Sequence, residues 1–146
     1  MSFGPHLLFS LGECQEVNKL RDENFIKSFL LSLVDICKMT LIMGPTLHKF
    51  QGDSMEEDGI SGIVVIAESH ISIHTAPEHR TCSIDIFSCK EFDYWNGIAY
   101  IMKELRPNTY FHEIIDRGKH FPKTKFFKAV KKENPQEVNK VPEIEK

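Results

Sequence analysis

The sequence predicts an α+β fold, a two-layer sandwich in which an antiparallel sheet carries two helices on one face. Three observations predict it. β-rich runs follow one another between residues 60 and 89, separated only by short polar or turn-forming stretches. Two other segments, 23–38 and 93–105, repeat their apolar residues at helical spacing. The chain has 146 residues, one ordinary domain's length, so it can bury a core without disulfides or a structural metal.

Residues 5–11 (PHLLFSL) read as an opening strand. In 23–38, Ile26, Phe29, Leu30, Leu33 and Cys37 share one helix face, and Asp22 stands where an N-cap belongs. Cys37 reads as core, because a free cysteine packs as a small hydrophobe. Gly44-Pro45 punctuates the chain, and an extended piece, 46–50, follows. Residues 51–59 (QGDSMEEDG) are polar and turn-rich, an exposed loop whose acidic cluster reads as a solvated tip. Residues 60–67 (ISGIVVIA) form an apolar run short enough for a buried strand. In 70–75, Ile71 and Ile73 alternate with His70, Ser72 and His74, and Pro77 ends the segment. In 81–89, Ile84 and Ile86 take one face, while Asp85, Phe87 and Cys89 take the other. The helix at 93–105 is expected to bury Trp95, Ile98, Ala99, Met102 and Leu105, with Pro107 and Asn108 stopping it and 109–116 as a last strand. Both helices on one face leave the other sheet face uncovered, and a dimer is one way to cover it.

Eighteen basic and 21 acidic residues give a formal charge of -3, which argues against a general nucleic-acid-binding surface. No apolar run approaches the roughly 18 residues of a membrane span. Cys14, Cys37, Cys82 and Cys89 form no CxxC pair, and the first ten residues lack a secretory leader's profile. These features read as a cytoplasmic, reduced protein. From Lys119 the composition changes. Residues 119–146 hold eight Lys against four Glu, together with three Pro, and read as a Lys-rich mobile tail, helical around 124–132, behind a domain spanning 1–118.

Reactive side chains concentrate between Ser61 and Cys89: Ser61, Glu68, Ser69, His70, His74, Glu78, His79, Asp85 and Cys89. Glu68-Ser69-His70 sits between two apolar runs, where a charged residue is costly unless it has a task or lies at a turn. Three readings of the residues stand side by side. One is a hairpin turn with no chemistry. The second is a metal site from His70, His74, His79 and Cys82 or Cys89, although the spacings match no standard ligand pattern. The third joins the Ser69 hydroxyl, the His74 imidazole and the Cys89 thiol as an acid–base and nucleophile set.

The stretch GISGIVVIAESHISIHTAPEHRTCSIDIFSC, 59–89, closely resembles the core of the prokaryotic S-adenosylmethionine decarboxylase proenzymes. GPHLLFSL near the start resembles that family's GxHLL strand, LHKF at 47–50 its next element, and Arg117-Gly118 its end. The resemblance implies an enzyme that makes its own pyruvoyl cofactor by cleaving between residues 68 and 69, with no metal. It implies that the Ser69 hydroxyl attacks the Glu68 carbonyl, and that the serine becomes the pyruvoyl group, which forms a Schiff base with the substrate amine. By the same resemblance His74 is the processing base, Ser61 assists processing, and Cys89 protonates the substrate during decarboxylation. Glu78 and Phe50 match the residues that hold the ribose and the adenine of S-adenosylmethionine. A homodimer with each active site built by two protomers is implied, serving spermidine synthesis. The chain departs from the family in two places: HTAPE puts Ala76 where the family has Trp, and the loop 51–58 is longer. Both lie on the substrate side, so a pyruvoyl-dependent arginine or ornithine decarboxylase, or an uncleaved non-catalytic relative, are the alternatives.

Overall fold

A computed structural model describes residues 4–119. The chain runs β1 (Pro5–Cys14), α1 (Val17–Arg21), α2 (Glu23–Ile36), β2 (Leu41–Phe50), β3 (Gly59–Ile66), β4 (Ser69–Ala76), β5 (Thr81–Ser88), α3 (Tyr94–Leu105) and β6 (Pro107–Asp116), with a 3-10 turn at Met55–Glu57 between β2 and β3. The strands form one six-stranded sheet in the order β2-β3-β4-β5-β1-β6, every neighbour antiparallel.

The sheet's alternation separates two faces. Leu7, Phe9 and Leu11 of β1, Ile71 and Ile73 of β4, and Ile84 and Ile86 of β5 are buried in one cluster with Leu20 of α1, Ile26, Phe29, Leu30 and Leu33 of α2, and Ile101 and Leu105 of α3. The helices therefore cover one face, as the periodicity predicts. Asp22 caps α2: its carboxylate accepts the amides of Asn24 at 2.9 Å and Phe25 at 3.2 Å, an arrangement worth about 1 kcal/mol. Thr75 fastens α1 to the sheet. Its buried hydroxyl donates to the Leu20 carbonyl at 2.9 Å and accepts the Ile60 amide at 3.0 Å.

Several sequence expectations change. Among the described residues there are three α-helices rather than two, because Val17–Arg21 is too short to show a period and buries only Leu20. Strand β1 continues to Cys14. Gly44-Pro45 lies inside β2 instead of breaking the chain before it. This is an edge strand with register shifts around residues 43–46, where a proline's missing donor costs the ladder little. Pro107 likewise opens edge strand β6, and α3 ends at Leu105 with Arg106 in the left-handed region at φ 45°. In α3 the buried stripe is Gly97, Ile98, Ile101 and Leu105, while Trp95 is 62% exposed and Ala99 is exposed as well. The helix is turned because Gly97 meets α2's end: a Cβ there would sit 3.0 Å from the Cys37 sulfur. A search for large apolar residues passes over a glycine contact of this kind. The tail, with its expected helix around 124–132, lies outside the described residues from His120 onward.

Candidate active site

The β3–β4 hairpin pairs Ile66 with Ser69, so Ala67 and Glu68 form its two-residue turn. This resolves the cost of a glutamate between two apolar runs. Glu68 is only 8% exposed, but its side chain is held: one carboxylate oxygen accepts the Thr40 amide at 3.2 Å, and the other lies 3.8 Å from the Lys90 ammonium. The Glu68 carbonyl, which joins it to Ser69, accepts the backbone amide of Cys89 at 2.9 Å. That hydrogen bond draws electron density toward the oxygen and makes the carbonyl carbon a better electrophile. Glu68, Ser69 and Cys89 thus meet at one end of the sheet, where β5 finishes beside the start of β4.

Ser61 and His74 meet elsewhere. They face each other across β3 and β4, and the Ser61 hydroxyl lies 2.9 Å from His74 Nδ1 on the uncovered face. His74 is five residues along β4 from Ser69, about 17 Å at a strand's rise. Within one chain the imidazole therefore does not reach the serine. Phe50, opposite Gly59 at the end of β2, is 53% exposed at the same end of the sheet as Ser61 and His74. Glu78 lies in the turn between β4 and β5, also at that end. Its carboxylate is paired with the Arg21 guanidinium at the end of α1. Ala76 is half-buried, opposite Thr81. The candidate residues accordingly form two clusters at opposite ends of the sheet, with Ser69 on the same strand side as the buried Ile71 and Ile73 and paired with the buried Ser88.

Between them the open face carries a middle rung of Ile63, Ser72, Asp85 and Leu8. The next rung toward Ser69 contains His70, Phe87 and His6. His6 lies 3.6 Å from the Asp85 carboxylate. Burial holds its pKa below the ordinary histidine value, with Asp85 pulling the other way. The Arg117 guanidinium sits 4.1 Å over the Phe87 ring. The cysteines divide sharply. Burial pushes the Cys37 thiol up to about 12, with Asp93 adding to the rise, and raises Cys14 and Cys82 as well. Cys89 is exposed. Among the described residues no group of three or more His, Cys, Asp or Glu side chains is arranged to hold a metal ion, and no helix is long and apolar enough to cross a membrane.

Sequence reasoning missed Arg21, which stands 57 positions from Glu78 and belongs to a helix with no periodic signature. It also missed the Cys89 amide, since a backbone donor leaves no mark in a residue pattern.

Comparisons with known proteins bear on the fold and the family. The family model for S-adenosylmethionine decarboxylase matches residues 5–118. The S-adenosylmethionine decarboxylase proenzyme of Archaeoglobus fulgidus is 31% identical over 119 residues, 81% of this chain and 100% of that protein. That of Methanococcus maripaludis strain C5 is 37% identical over 116 residues, 79% of this chain and 89% of the other. The arginine decarboxylase proenzyme of Caldivirga maquilingensis is 33% identical over 110 residues, 73% of this chain and 80% of that protein. The crystal structure of the Aquifex aeolicus adenosylmethionine decarboxylase superposes with a TM-score of 0.64 at 28% identity, covering 80% of this chain and 91% of that one. With its antiparallel sheet, its one-sided helices and a matched region that spans nearly every described residue, the chain belongs to the S-adenosylmethionine decarboxylase family, a family of decarboxylases.

Proposed function

We propose that the chain is a proenzyme that cleaves itself between Glu68 and Ser69 and then decarboxylates S-adenosylmethionine. The observation that carries the cleavage is the 2.9 Å hydrogen bond from the Cys89 amide to the Glu68 carbonyl, made at a tight turn directly before a serine. The Ser69 hydroxyl attacks that carbonyl carbon. The peptide C–N bond breaks, the nitrogen takes up a proton, and an ester joins Glu68 to the Ser69 oxygen. A base then removes the Ser69 α-proton and Glu68 departs as a carboxylate. Water displaces ammonia from the dehydroalanine that remains, leaving a pyruvoyl cap on the second chain. The residues fit this product, because the hairpin turn already separates the two future chains and holds both sides of the break.

The two-cluster geometry supports a base supplied in trans. An isologous two-fold pairing of open faces, with the two sheets antiparallel, brings the end of one copy's sheet that carries Glu68, Ser69 and Cys89 against the end of the other's that carries Ser61, His74, Phe50 and Glu78. Each dimer then has two complete sites, and the uncovered face is closed. His74, oriented by Ser61, is the base that takes the α-proton. In turnover the pyruvoyl carbonyl supplies the sink for the electron pair left when carbon dioxide departs. The exposed Cys89 thiol holds the proton for the substrate's α-carbon. Phe50 offers its ring to the adenine, and Glu78 its carboxylate to the ribose hydroxyls. The product feeds spermidine synthesis, and the free cysteines suit a reducing cytoplasm.

Ala76 favours a second reading, in which the substrate is arginine or ornithine. A missing aromatic removes a stacking surface worth about 1–3 kcal/mol for a base. Parallel assays of carbon dioxide release from carboxyl-labelled S-adenosylmethionine, arginine and ornithine decide between them. Release from S-adenosylmethionine above the other two supports the first reading. A cleaved protein that releases it only from arginine or ornithine refutes it.

A further inference from the structure

A groove of about 330 Å³ opens on the helix-covered side, at the edge where β6 ends. Its floor is Pro5 and Ile114. Its walls are Phe92, Tyr94 and Trp95, with the carboxylates of Glu91 and Asp93 alongside. Trp95 is 62% exposed although it stands at the start of an otherwise well-packed helix. The segment forming these walls begins two residues after Cys89.

The chain leaves the fold at this groove. Asp116 pairs with Pro5, and the Arg117 amide donates to the Gly4 carbonyl at 2.9 Å. Gly118 packs against Gly4, where an added Cβ would lie 3.1 Å from the Gly118 nitrogen. The residues that follow are KHFPKTKFFKAVKK, 119–132, which hold six Lys and three Phe. The charges are complementary overall: residues 1–118 hold ten Lys and Arg against seventeen Asp and Glu, and residues 119–146 hold eight Lys against four Glu.

We infer that the groove is the docking site of the chain's own C-terminal segment 119–132, with its lysines toward Glu91 and Asp93 and its phenylalanines against Trp95 and Tyr94. Lysine over an indole or phenol ring gains from the ring quadrupole, and an exposed tryptophan is the best such ring. A segment tethered next to its own groove meets it at millimolar effective concentration, so weak binding suffices for occupancy. The docked segment would brace the loop that follows Cys89, a consequence that rests on the role proposed for that thiol. The docking itself does not.

Trp95 is the chain's single tryptophan, so its fluorescence reports on the groove directly. Acrylamide quenching is compared in the full chain, in the full chain with Lys123, Lys125 and Lys128 changed to Glu, and in that variant with Glu91→Lys added. We expect charge reversal to make Trp95 about threefold more quenchable, the change produced when a tethered segment leaves a groove it mostly occupies. The added Glu91→Lys should restore much of the protection, and 1 M salt should abolish it in the unmodified chain, where the screening length is about 3 Å. Equal quenching in all three proteins overturns the inference. Protection that ignores the tail charges but fades on dilution also overturns it and assigns the groove to a second copy. Protection that ignores both assigns it to another segment and overturns it as well.

Discussion

Glu68 and Ser69 bring two requirements to one peptide bond. The turn needs a buried carboxylate satisfied, which Thr40 and Lys90 do, and the proposed cleavage needs an activated carbonyl, to which the Cys89 amide donates. Replacing Ser69 by Ala removes the attacking hydroxyl without touching these partners. The variant should fold and remain one chain on a denaturing gel. Cys89→Ala keeps the backbone amide, so it should still cleave, yet lose most of its decarboxylation in a carbon dioxide release assay. Full activity in that variant would remove Cys89 from the chemistry. Reactivity separates the thiols too. Cys14, Cys37 and Cys82 are buried with raised pKa values, while Cys89 is open to solvent. Iodoacetamide at neutral pH should label Cys89 first in the native protein, read by peptide mapping, because the thiolate is the reactive form. Arg21 is paired with Glu78, and on the role proposed for that carboxylate it is a positioning residue. Arg21→Ala should raise KM for S-adenosylmethionine roughly tenfold, the effect of a charge-assisted hydrogen bond of about 1.5 kcal/mol, while cleavage and kcat change little. Arg21→Lys should recover part of the loss.

At the scale of elements, α1 hangs on the Thr75 hydroxyl. Thr75→Val keeps the volume but strips a buried donor-acceptor from the Leu20 carbonyl and the Ile60 amide, so it should destabilise the fold by about 2–3 kcal/mol in urea titration. Strands and helices with a clear period were legible in the sequence. The α2 face of Ile26, Phe29, Leu30, Leu33 and Cys37 is buried as expected, and so are Ile71, Ile73, Ile84 and Ile86. Elements whose position depends on a partner were not. The five-residue α1 is fixed by Thr75 across 55 positions, and the rotation of α3 by the close approach of Gly97 and Cys37. β2 runs through Gly44-Pro45 because its neighbour β3 supplies the ladder, which no local propensity records.

For the whole molecule, the residues proposed for catalysis could be named from resemblance, but their separation could not. A spacing of five between Ser69 and His74 says nothing until it is known that both lie on one extended strand, about 17 Å apart. That distance is the ground for the proposal that two copies build each site. Co-expression tests it. Ser69→Ala and His74→Ala chains should each stay uncleaved alone, and the His74→Ala chain should be cut when the two are mixed, because the proposed two-fold dimer gives it an intact His74 opposite its own Ser69. Failure of the mixture to cleave, with dimers formed, would place the base within one chain.

The most direct measurement is intact mass spectrometry of the purified protein. Cleavage between Glu68 and Ser69 divides the 146 residues into chains of 68 and 78. A pyruvoyl cap makes the second chain about 17 Da lighter than hydrolysis alone would, because the serine nitrogen has left as ammonia. Two chains with that deficit are the expected result. A single uncut chain, or two chains without the deficit, would contradict the self-processing chemistry and leave the family resemblance to the fold alone.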